Sequence, residues 1–289
     1  MIKHLVFGVH LPVIGFNGNN NDKKEGKENL HSREQILSIA RKAESLGYDS
    51  LSVNDHIVYR TSWFDSLSAL TAVAAVTSRI KLGTSVLNIV VRSPVICAKS
   101  LSAIDILSSG RLFAAGVGPG SHKGDYDVCG IPFEQRWSRF NEALEILHML
   151  WNNRDREDDD NNNMKSPTPT CIDYNGKYYQ LEKISIEPRP FQKPHPPIFI
   201  GTWGSSEEGL RRAAKYGDGW MASAYNITPD KFKEKWKTLL NLLLFGSTDD
   251  CLEKIRALSE AGVKRIHFWP VSDYLEQIEI FRNEIIPSC

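Results

Sequence analysis

The sequence predicts an α/β fold in which strands and helices alternate and the strands form a buried parallel sheet. Residues 81–120 read as strand, helix and strand, which is a βαβ unit with parallel strands. Three junctions, AESLGYDSLSV, AAKYGDGWMAS and LSEAGVKRIHF, each read as helix, glycine and strand, as in a repeating β/α array. The length of 289 residues is normal for an α/β barrel.

Strands are predicted where β-branched and apolar residues form short runs between turn residues. Seven runs meet this description: His4–Pro12, Ser50–Val53, Lys81–Ile89, Leu112–Val117, Ile198–Ile200, Gly219–Ala224 and Lys264–Trp269. Residues 237–246 leave room for only a helix end and a short strand, so a barrel is expected to be irregular or short of one strand there. Tyr174–Leu181 predicts a hairpin around Asn175-Gly176.

Helices are predicted from capping residues and from apolar residues at helical spacing. The predicted N-caps are Ser32, Asp65, Ser93, Ser205 and Ser247, and the glycines predicted to end helices are Gly47, Gly110, Gly217 and Gly262. Pro94 takes the first helical position after Ser93. The buried face of the first helix is predicted as Ile36, Ile39, Ala40, Ala43 and Leu46.

Two polar stretches interrupt this pattern. NGNNNDKKEGKENLH, residues 17–31, predicts a loop, which in a barrel would lie on the ligand face. RDREDDDNNNMKSPTPT, residues 154–170, is low in hydrophobic residues and rich in charge, and predicts a solvated surface excursion within an insertion at about 152–196. The chain is otherwise expected to form a single domain over residues 1–289.

Composition excludes several classes of partner. The formal net charge is zero and the pI is near 7.1, so neither nucleic acid nor an acidic membrane is an expected partner. The five cysteines show no CxxC pair, which predicts a reduced cytoplasmic protein without a metal site. No run of the sequence is long and apolar enough to span a membrane.

Ligand-binding groups are expected at the carboxyl ends of the parallel strands. The third strand brings Ser85, Val86 and Asn88 to this edge, and the fourth runs into Gly118-Pro119-Gly120. Asn88 and the Gly118-Pro119-Gly120 turn are suited to line the edge of a planar ring, although the glycines alone are equally compatible with a tight turn.

Gly201-Thr202-Trp203-Gly204-Ser205-Ser206 joins a parallel strand to a helix N-terminus, which favours a phosphate site. A capped βα turn is the alternative, and it accounts for Ser205 but not for Gly201 and Gly204. Ser223, after the next strand, is a weaker candidate for the same site.

Asn54-Asp55-His56 ends the second strand and is the candidate group for proton transfer. Histidine titrates near neutral pH, so His56 is suited to donate or accept a proton. A single histidine is more often structural, but its place at a strand end favours a functional role. Trp63 is equally compatible with a pocket wall or with the core.

The stretch GTSVLNIVVRSPVICAKSLSAIDILSSGRLFAAGVGPG resembles the luciferase-like monooxygenase superfamily. This superfamily includes flavin-dependent monooxygenases and oxidoreductases that use the deazaflavin coenzyme F420. The resemblance implies a TIM (β/α)8-type barrel, a cis peptide bond at Ser85-Val86, and a homodimer formed through the helices at Leu67–Val76 and Val95–Leu107.

The resemblance also implies roles for residues. His56 matches a position that is frequently functional, and Asp55 would position it or touch the cofactor. The loop at residues 201–206 would contact the cofactor phosphate. GVGPG resembles the deazaflavin enzymes closely, which favours F420 over FMN. Some relatives have a glutamate general acid where this chain has Ser121, so His122 or Asp125 would have to replace it.

The sequence therefore predicts an oxidoreductase that transfers hydride between F420 and a small organic substrate. A monooxygenase that uses reduced FMN is the alternative, and a flavin-binding protein without catalysis is an alternative of another class. A barrel aldolase or metal hydrolase is disfavoured, because the strand ends offer neither a Schiff-base lysine nor an HxH pair. Arg111, in SSGRL, is predicted to be structural.

Overall fold

The computed structural model describes residues 7–14, 33–152, 171–202 and 206–223, together with eight isolated residues beyond position 230. Several predictions lie outside these residues: the loop at 17–31, the cap at Ser32, the charged stretch at 154–170, Gly204, Ser205, the segment at 237–246 and the strand at 264–269.

The central feature is a parallel sheet that follows the chain order. Its strands are β1 (Gly8–His10), β2 (Ser50–Val53), β3 (Lys81–Thr84), β4 (Leu87–Asn88), β5 (Leu112–Gly118), β8 (Ile198–Thr202) and β9 (Gly219–Ala222). They are arranged as β1-β2-β3-β5-β8-β9, and β4 continues beside β5 beyond the end of β3. All these pairs are parallel, so the carboxyl ends of the strands share one edge, as the βαβ pattern predicts.

Six helices accompany the strands in the described ranges: α1 (Arg33–Ser45), α2 (Ser66–Val76), α3 (Pro94–Leu107), α4 (Lys123–Val128), α5 (Arg136–Asn152) and α6 (Glu207–Tyr216). A short 3-10 turn at Phe133–Gln135 precedes α5. The predicted hairpin is confirmed as β6 (Ile172–Asn175) paired antiparallel with β7 (Gln180–Ile184). Glu142 of α5 accepts the backbone N–H groups of residues 177–179, which ties the hairpin turn to that helix.

The core lies between the sheet and its helices and is made of fully buried aliphatic side chains. Leu51, Leu82, Leu112 and Ile198 of the sheet are all 0% exposed. Arg111 has a structural role, as predicted. Its guanidinium donates to the backbone carbonyls of Ala74, Thr77, Ile80 and Ser108, and therefore joins the end of α2 to the start of β5.

Several predicted boundaries were wrong. The third strand is not continuous, because β3 and β4 are separated by Ser85 and Val86. Ser93 is the N-cap residue of α3 and Pro94 lies in its first turn, as predicted, but Ser93 has a φ of 70° and its side chain makes no capping hydrogen bond. The first strand ends at His10 and not at Pro12, and β9 ends at Ala222.

Two helix predictions also need correction. The N-cap of α6 is Ser206 and not Ser205, because the Ser206 hydroxyl accepts the N–H of Gly209 at 3.1 Å. Leu46 follows α1 and is 62% exposed, so it does not belong to the buried face. Asp65 caps α2 as predicted, accepting the N–H of Ser68 at 2.8 Å.

The described helices include none that combines the length and the apolar character needed to cross a membrane.

Candidate functional site

A cavity of about 1000 Å³ opens at the carboxyl edge of the sheet. Of the predicted site residues that the structure describes, all but Ser206 line it: Asp55, His56, Ser85, Val86, Asn88, Gly118, Pro119, Gly120, Gly201 and Ser223. They come from the ends of β2, β4, β5, β8 and β9, which the parallel topology brings to one edge. Trp63 also lines the cavity and is thus a wall residue.

Val86 forms the back of the cavity against two glycines. The Ser85-Val86 peptide bond is cis, as the family resemblance implies. A Cβ atom on Gly118 would lie 2.8 Å from one methyl group of Val86, and a Cβ on Gly201 would lie 2.5 Å from the other. Real Cβ atoms do not approach other atoms this closely, so both positions require glycine while Val86 keeps its place.

A residue of α4 holds the Gly118-Pro119-Gly120 turn through a hydrogen bond. Tyr126, which is 0% exposed, donates its hydroxyl hydrogen to the carbonyl oxygen of Pro119. Burial raises the pKa of Tyr126 above its ordinary value, so the hydroxyl stays protonated as the donor. Gly120 has a φ of 71°, and a Cβ there would collide with the amide of Asn88. The turn geometry therefore depends on glycine and on Tyr126.

His56 is bound to a buried carboxylate. Its Nδ1 lies 2.8 Å from Oδ2 of Asp125, whose side chain is 1% exposed. The other oxygen of Asp125 accepts the backbone N–H groups of Ile57 and Val58, both at 2.9 Å. Burial alone would raise the pKa of Asp125, but the hydrogen bonds from His56 and from these amides outweigh it and lower the pKa below its usual range. Asp125 is therefore ionised at neutral pH.

Three aromatic rings surround His56. The ring centroids of Trp63, Tyr59 and His122 lie 4.5, 4.7 and 5.6 Å from that of His56. The contacts with Trp63 and His122 are edge-to-face. Nδ1 is turned to Asp125, so Nε2 is the ring nitrogen left for a ligand in the cavity. The rings fix the orientation of the imidazole.

Asp55 does not position His56, which corrects one of its two predicted roles. Its carboxylate accepts from Nε and Nη2 of Arg92 at 2.8 and 2.6 Å, from the Ser66 hydroxyl and from the N–H of Asn88. Burial disfavours the charged guanidinium, but the bonds to Asp55 and Asp65 outweigh it and raise the pKa of Arg92. Asp55 thus joins β2 to β4, and a contact with a cofactor stays a prediction.

The predicted phosphate loop is only partly described. Gly201 and Ser223 line the cavity, whereas the hydroxyl of Ser206 caps α6. Gly204 and Ser205 lie outside the described residues. Phosphate binding by this loop therefore stays a prediction.

His56, His122 and Asp125 also offer the ligand types of a metal site, with one ligand atom of each within 4.8 Å of the others. In this structure His56 and Asp125 are joined by a hydrogen bond, and His122 Nδ1 lies 3.8 Å from Asp125 Oδ1. The absence of a metal site stays a prediction.

Several residues of the site were not recognised in the sequence. Tyr59, Arg60 and Trp137 line the cavity, and Tyr126 supports it from behind. Asp125 was noted only as a substitute proton donor, not as the partner of His56. The available signal for Asp125 and Tyr126 was the stretch GSHKGDYDV. In it an aspartate and a tyrosine follow a glycine turn within one short helix.

The fold and the cavity define a class: α/β proteins with a curled parallel sheet and a cavity at the carboxyl ends of the strands. The sequence model of the family described as luciferase-like monooxygenase matches residues 13–239. The chain belongs to the luciferase-like monooxygenase family, as its central motif indicates.

Individual relatives agree with this assignment. An uncharacterised protein of Mycobacterium tuberculosis is 27% identical over 205 residues, and the match covers 64% of each chain. An F420-dependent glucose-6-phosphate dehydrogenase of Amycolatopsis mediterranei is 30% identical over 199 residues, covering 65% of this chain and 53% of the relative. The chain thus spans less than two thirds of the length of these relatives.

A solved structure supports the fold. The monooxygenase RslO1 of Streptomyces bottropensis is similar with a TM-score of 0.64 at 24% identity, covering 91% of this chain and 68% of that one. The structural neighbours are TIM-barrel proteins of the luciferase-like family, and the described half-barrel sheet agrees with the predicted fold class.

Proposed function

We propose that this protein is an oxidoreductase that binds coenzyme F420 in the cavity and transfers hydride between it and a small organic substrate. The observation that carries the proposal is the cavity itself, where the predicted cofactor residues surround a histidine bound to a buried aspartate. The Amycolatopsis relative, an F420-dependent dehydrogenase, supports the choice of cofactor. The family membership supports the broader class of oxidoreductase.

The residues present fit such a cofactor. A volume of about 1000 Å³ is at the upper end of ordinary ligand cavities, which suits a tricyclic ring together with a substrate. Gly118 and Gly201 pack their backbone against Val86, and no side chain of theirs projects toward it at the cavity wall. Asn54 lines the cavity, and its buried Oδ1 has no hydrogen-bond partner among the described residues, so a ligand donor could satisfy it.

Each group would have a separate task. Val86, Asn88 and the turn at 118–120 would hold the ring, and Gly201 and Ser223 would lie beside its phosphate-bearing side chain. The chemistry that bound F420 supplies is hydride transfer at the ring. Oxidation of a carbon that carries a hydroxyl group also releases a proton, and His56 Nε2 would accept it. Asp125 would stabilise the resulting imidazolium, since its carboxylate already accepts from Nδ1.

A monooxygenase that uses reduced FMN is the alternative function. It is favoured by family membership, because luciferase-like monooxygenase is the description of the matching family. The two functions make opposite predictions for oxygen. Hydride transfer from F420 consumes none, whereas a monooxygenase consumes one molecule of oxygen per turnover.

The test is an equilibrium titration of the purified protein with F420 and with FMN, each in its oxidised and reduced form. Tight binding of F420 alone would support the proposal, and tight binding of reduced FMN alone would favour the monooxygenase. Binding of neither would overturn both. Tight binding without turnover of alcohols, aldehydes or ketones across a broad panel would support a flavin-binding protein without catalysis.

A further inference from the structure

Three arginine side chains near the cavity have no acidic partner in the described part of the chain. Arg60 lines the cavity directly, and Arg136 and Arg212 approach Trp137, which also lines it. None of the three forms an ion pair with a described carboxylate, although the chain carries 35 acidic residues. We call Arg60, Arg136, Trp137 and Arg212 the arginine rim.

Each guanidinium of the arginine rim lies over an aromatic ring. Arg212 lies 4.9 Å from the ring of Trp137, and Arg136 lies 4.0 Å from Phe133 and 5.7 Å from Trp137. Arg60 lies 5.9 Å from the ring of Tyr59. Contact with a ring holds the planar fork in place and uses none of its N–H groups, so less conformational entropy is lost when the remaining N–H groups bind a ligand.

The remaining hydrogen bonds of the arginine rim are to neutral groups. Arg136 donates to the carbonyl of Phe133, and Arg212 donates through Nε to the amide oxygen of Asn141 at 2.7 Å. Arg212 is half-buried, and burial lowers its pKa despite weaker attraction from Tyr216 and Glu208. A desolvated cation without a counter-ion is unfavourable, and an anionic ligand would remove that cost.

The carboxylates of Asp55, Asp65 and Asp125 are already bonded to other groups, and Glu208 attracts Arg212 without forming an ion pair with it. Asp55 and Asp65 hold Arg92, and Asp125 holds His56 and two backbone N–H groups. Arg60 is thus a cation at the cavity wall without an ion pair among the described residues, and Arg136 and Arg212 add two positive charges beside Trp137.

We propose that the arginine rim binds a carboxylate or phosphate group of the ligand at the mouth of the cavity. This inference rests on the proposed function only in placing the ligand in this cavity. The anionic group could belong to the phosphate and carboxylate tail of F420 or to an acidic substrate. Both present the same chemistry to a guanidinium fork, and separate measurements distinguish them.

The first measurement uses pyrophosphate as the probe and needs no cofactor. In protein labelled with ¹⁵N-tryptophan, the Trp137 indole signal is identified by its loss in Trp137→Phe. Titration with pyrophosphate is expected to shift this signal in the wild-type protein. Each of Arg60→Gln, Arg136→Gln and Arg212→Gln should weaken the apparent affinity about threefold, and the triple variant about thirtyfold if the effects add.

Matched variants separate charge recognition from general damage. Arg41→Gln removes the same charge from an exposed site on α1 and should leave the titration unchanged. Arg212→Lys keeps the positive charge, and it should retain more affinity than Arg212→Gln if Arg212→Gln acts through charge. Absence of a Trp137 shift in the wild-type protein, or an equal shift in the triple variant, would overturn the proposal.

The second measurement identifies the source of the anion. Affinity is measured for F420 and for the deazaflavin ring with its ribityl chain but without phosphate. A loss in the triple variant for F420 alone would assign the arginine rim to the cofactor tail. If the triple variant binds both compounds with unchanged affinity but no longer binds pyrophosphate, the arginine rim would be assigned to the substrate. If the wild-type protein binds neither F420 nor FMN, the proposed function fails while the pyrophosphate result stands by itself.

Discussion

The bond between His56 and Asp125 determines which imidazole nitrogen is available to a ligand. Replacing His56 with glutamine keeps a polar side chain of similar size but removes the titratable ring. We expect turnover with F420 to fall by about 10²- to 10⁴-fold, the usual contribution of general acid–base catalysis, while F420 affinity changes little. Stopped-flow measurement of F420 reduction together with the binding titration checks this. Unchanged turnover would show that His56 is not the proton acceptor.

Asp125 should make stability depend on pH in the acid range. Its pKa is lowered in the folded protein, because the hydrogen bonds from His56, Ile57 and Val58 outweigh the effect of burial. Its contribution is therefore fully present above the unfolded-state pKa of about 3.9 and is lost as the pH falls through the lower folded value. Asp125→Asn should be less stable than the wild type at pH 6, and the difference should shrink below about pH 4.

Urea denaturation of both proteins between pH 3 and pH 7 would measure this difference. Asp127→Asn is the control, because Asp127 is in the same helix and its carboxylate is about half exposed. A constant difference between wild type and Asp125→Asn over the whole range would contradict the expectation.

Substitution of Gly201 would test the close packing of Val86 at the cavity. An alanine there would place its Cβ 2.5 Å from Val86, so the side chain of Val86, which lines the cavity, must shift. We expect Gly201→Ala to cost about 1–3 kcal/mol in stability, the usual range for overpacking, and to weaken F420 binding. The double variant Gly201→Ala, Val86→Ala should recover part of the loss, because it removes the clash. A double-mutant cycle with no coupling between the two positions would argue against this packing.

At the scale of elements, the N-terminus of α6 allows the role of Ser206 to be tested. Its hydroxyl caps the helix, yet the sequence also predicts it near a phosphate. Ser206→Ala should lower stability by about 1 kcal/mol through loss of the cap, and Ser206→Asp should preserve the cap. If phosphate lies nearby, Ser206→Asp should weaken F420 binding by repulsion while the protein remains stable. Equal F420 affinity in wild type and Ser206→Asp would place the phosphate elsewhere.

The elements that the sequence predicts well are those with strong local signals. Pro94 and Asp65 mark helix starts by their own chemistry, and the apolar run at Leu112–Gly118 has the continuous burial of a parallel strand. The break between β3 and β4 could not be read from local propensity, because a β-branched run continues through it. Nor could α4, which is only six residues long and is held by contacts to loops more than 60 residues earlier.

At the scale of the whole molecule, the sequence predicted the site better than the element boundaries. Parallel strands bring their carboxyl ends together whatever the bounds of each strand, so residues 54–56, 85–88, 118–120 and 201 had to meet once the βαβ pattern held. The partner of each side chain could not be predicted in the same way. Asp55 and Asp125 are both near His56, and only the three-dimensional packing shows that Asp125 binds it.

The expected homodimer can also be tested at the scale of the whole molecule. Ile96 and Leu107 of α3 are 60% and 64% exposed and border a groove between α2 and α3. If this face joins two subunits, Leu107→Lys should shift the protein toward the monomer, because it would bury an unpaired charge. Light scattering after gel filtration would measure the change. Leu46→Lys, at a leucine 62% exposed beyond α1, is the control and should leave the mass unchanged.

The short helix α4 has a consequence for how the molecule moves. Its neighbouring residues Asp125 and Tyr126 hold two separate loops, one after β2 and one after β5. Detaching α4 would therefore release both loops at once. The amide hydrogens of Ile57 and Val58 should exchange with deuterium slowly, and in step with those of α4, although both residues lie in an exposed loop. Ligand binding at either loop should then slow the exchange of amide hydrogens in the other loop.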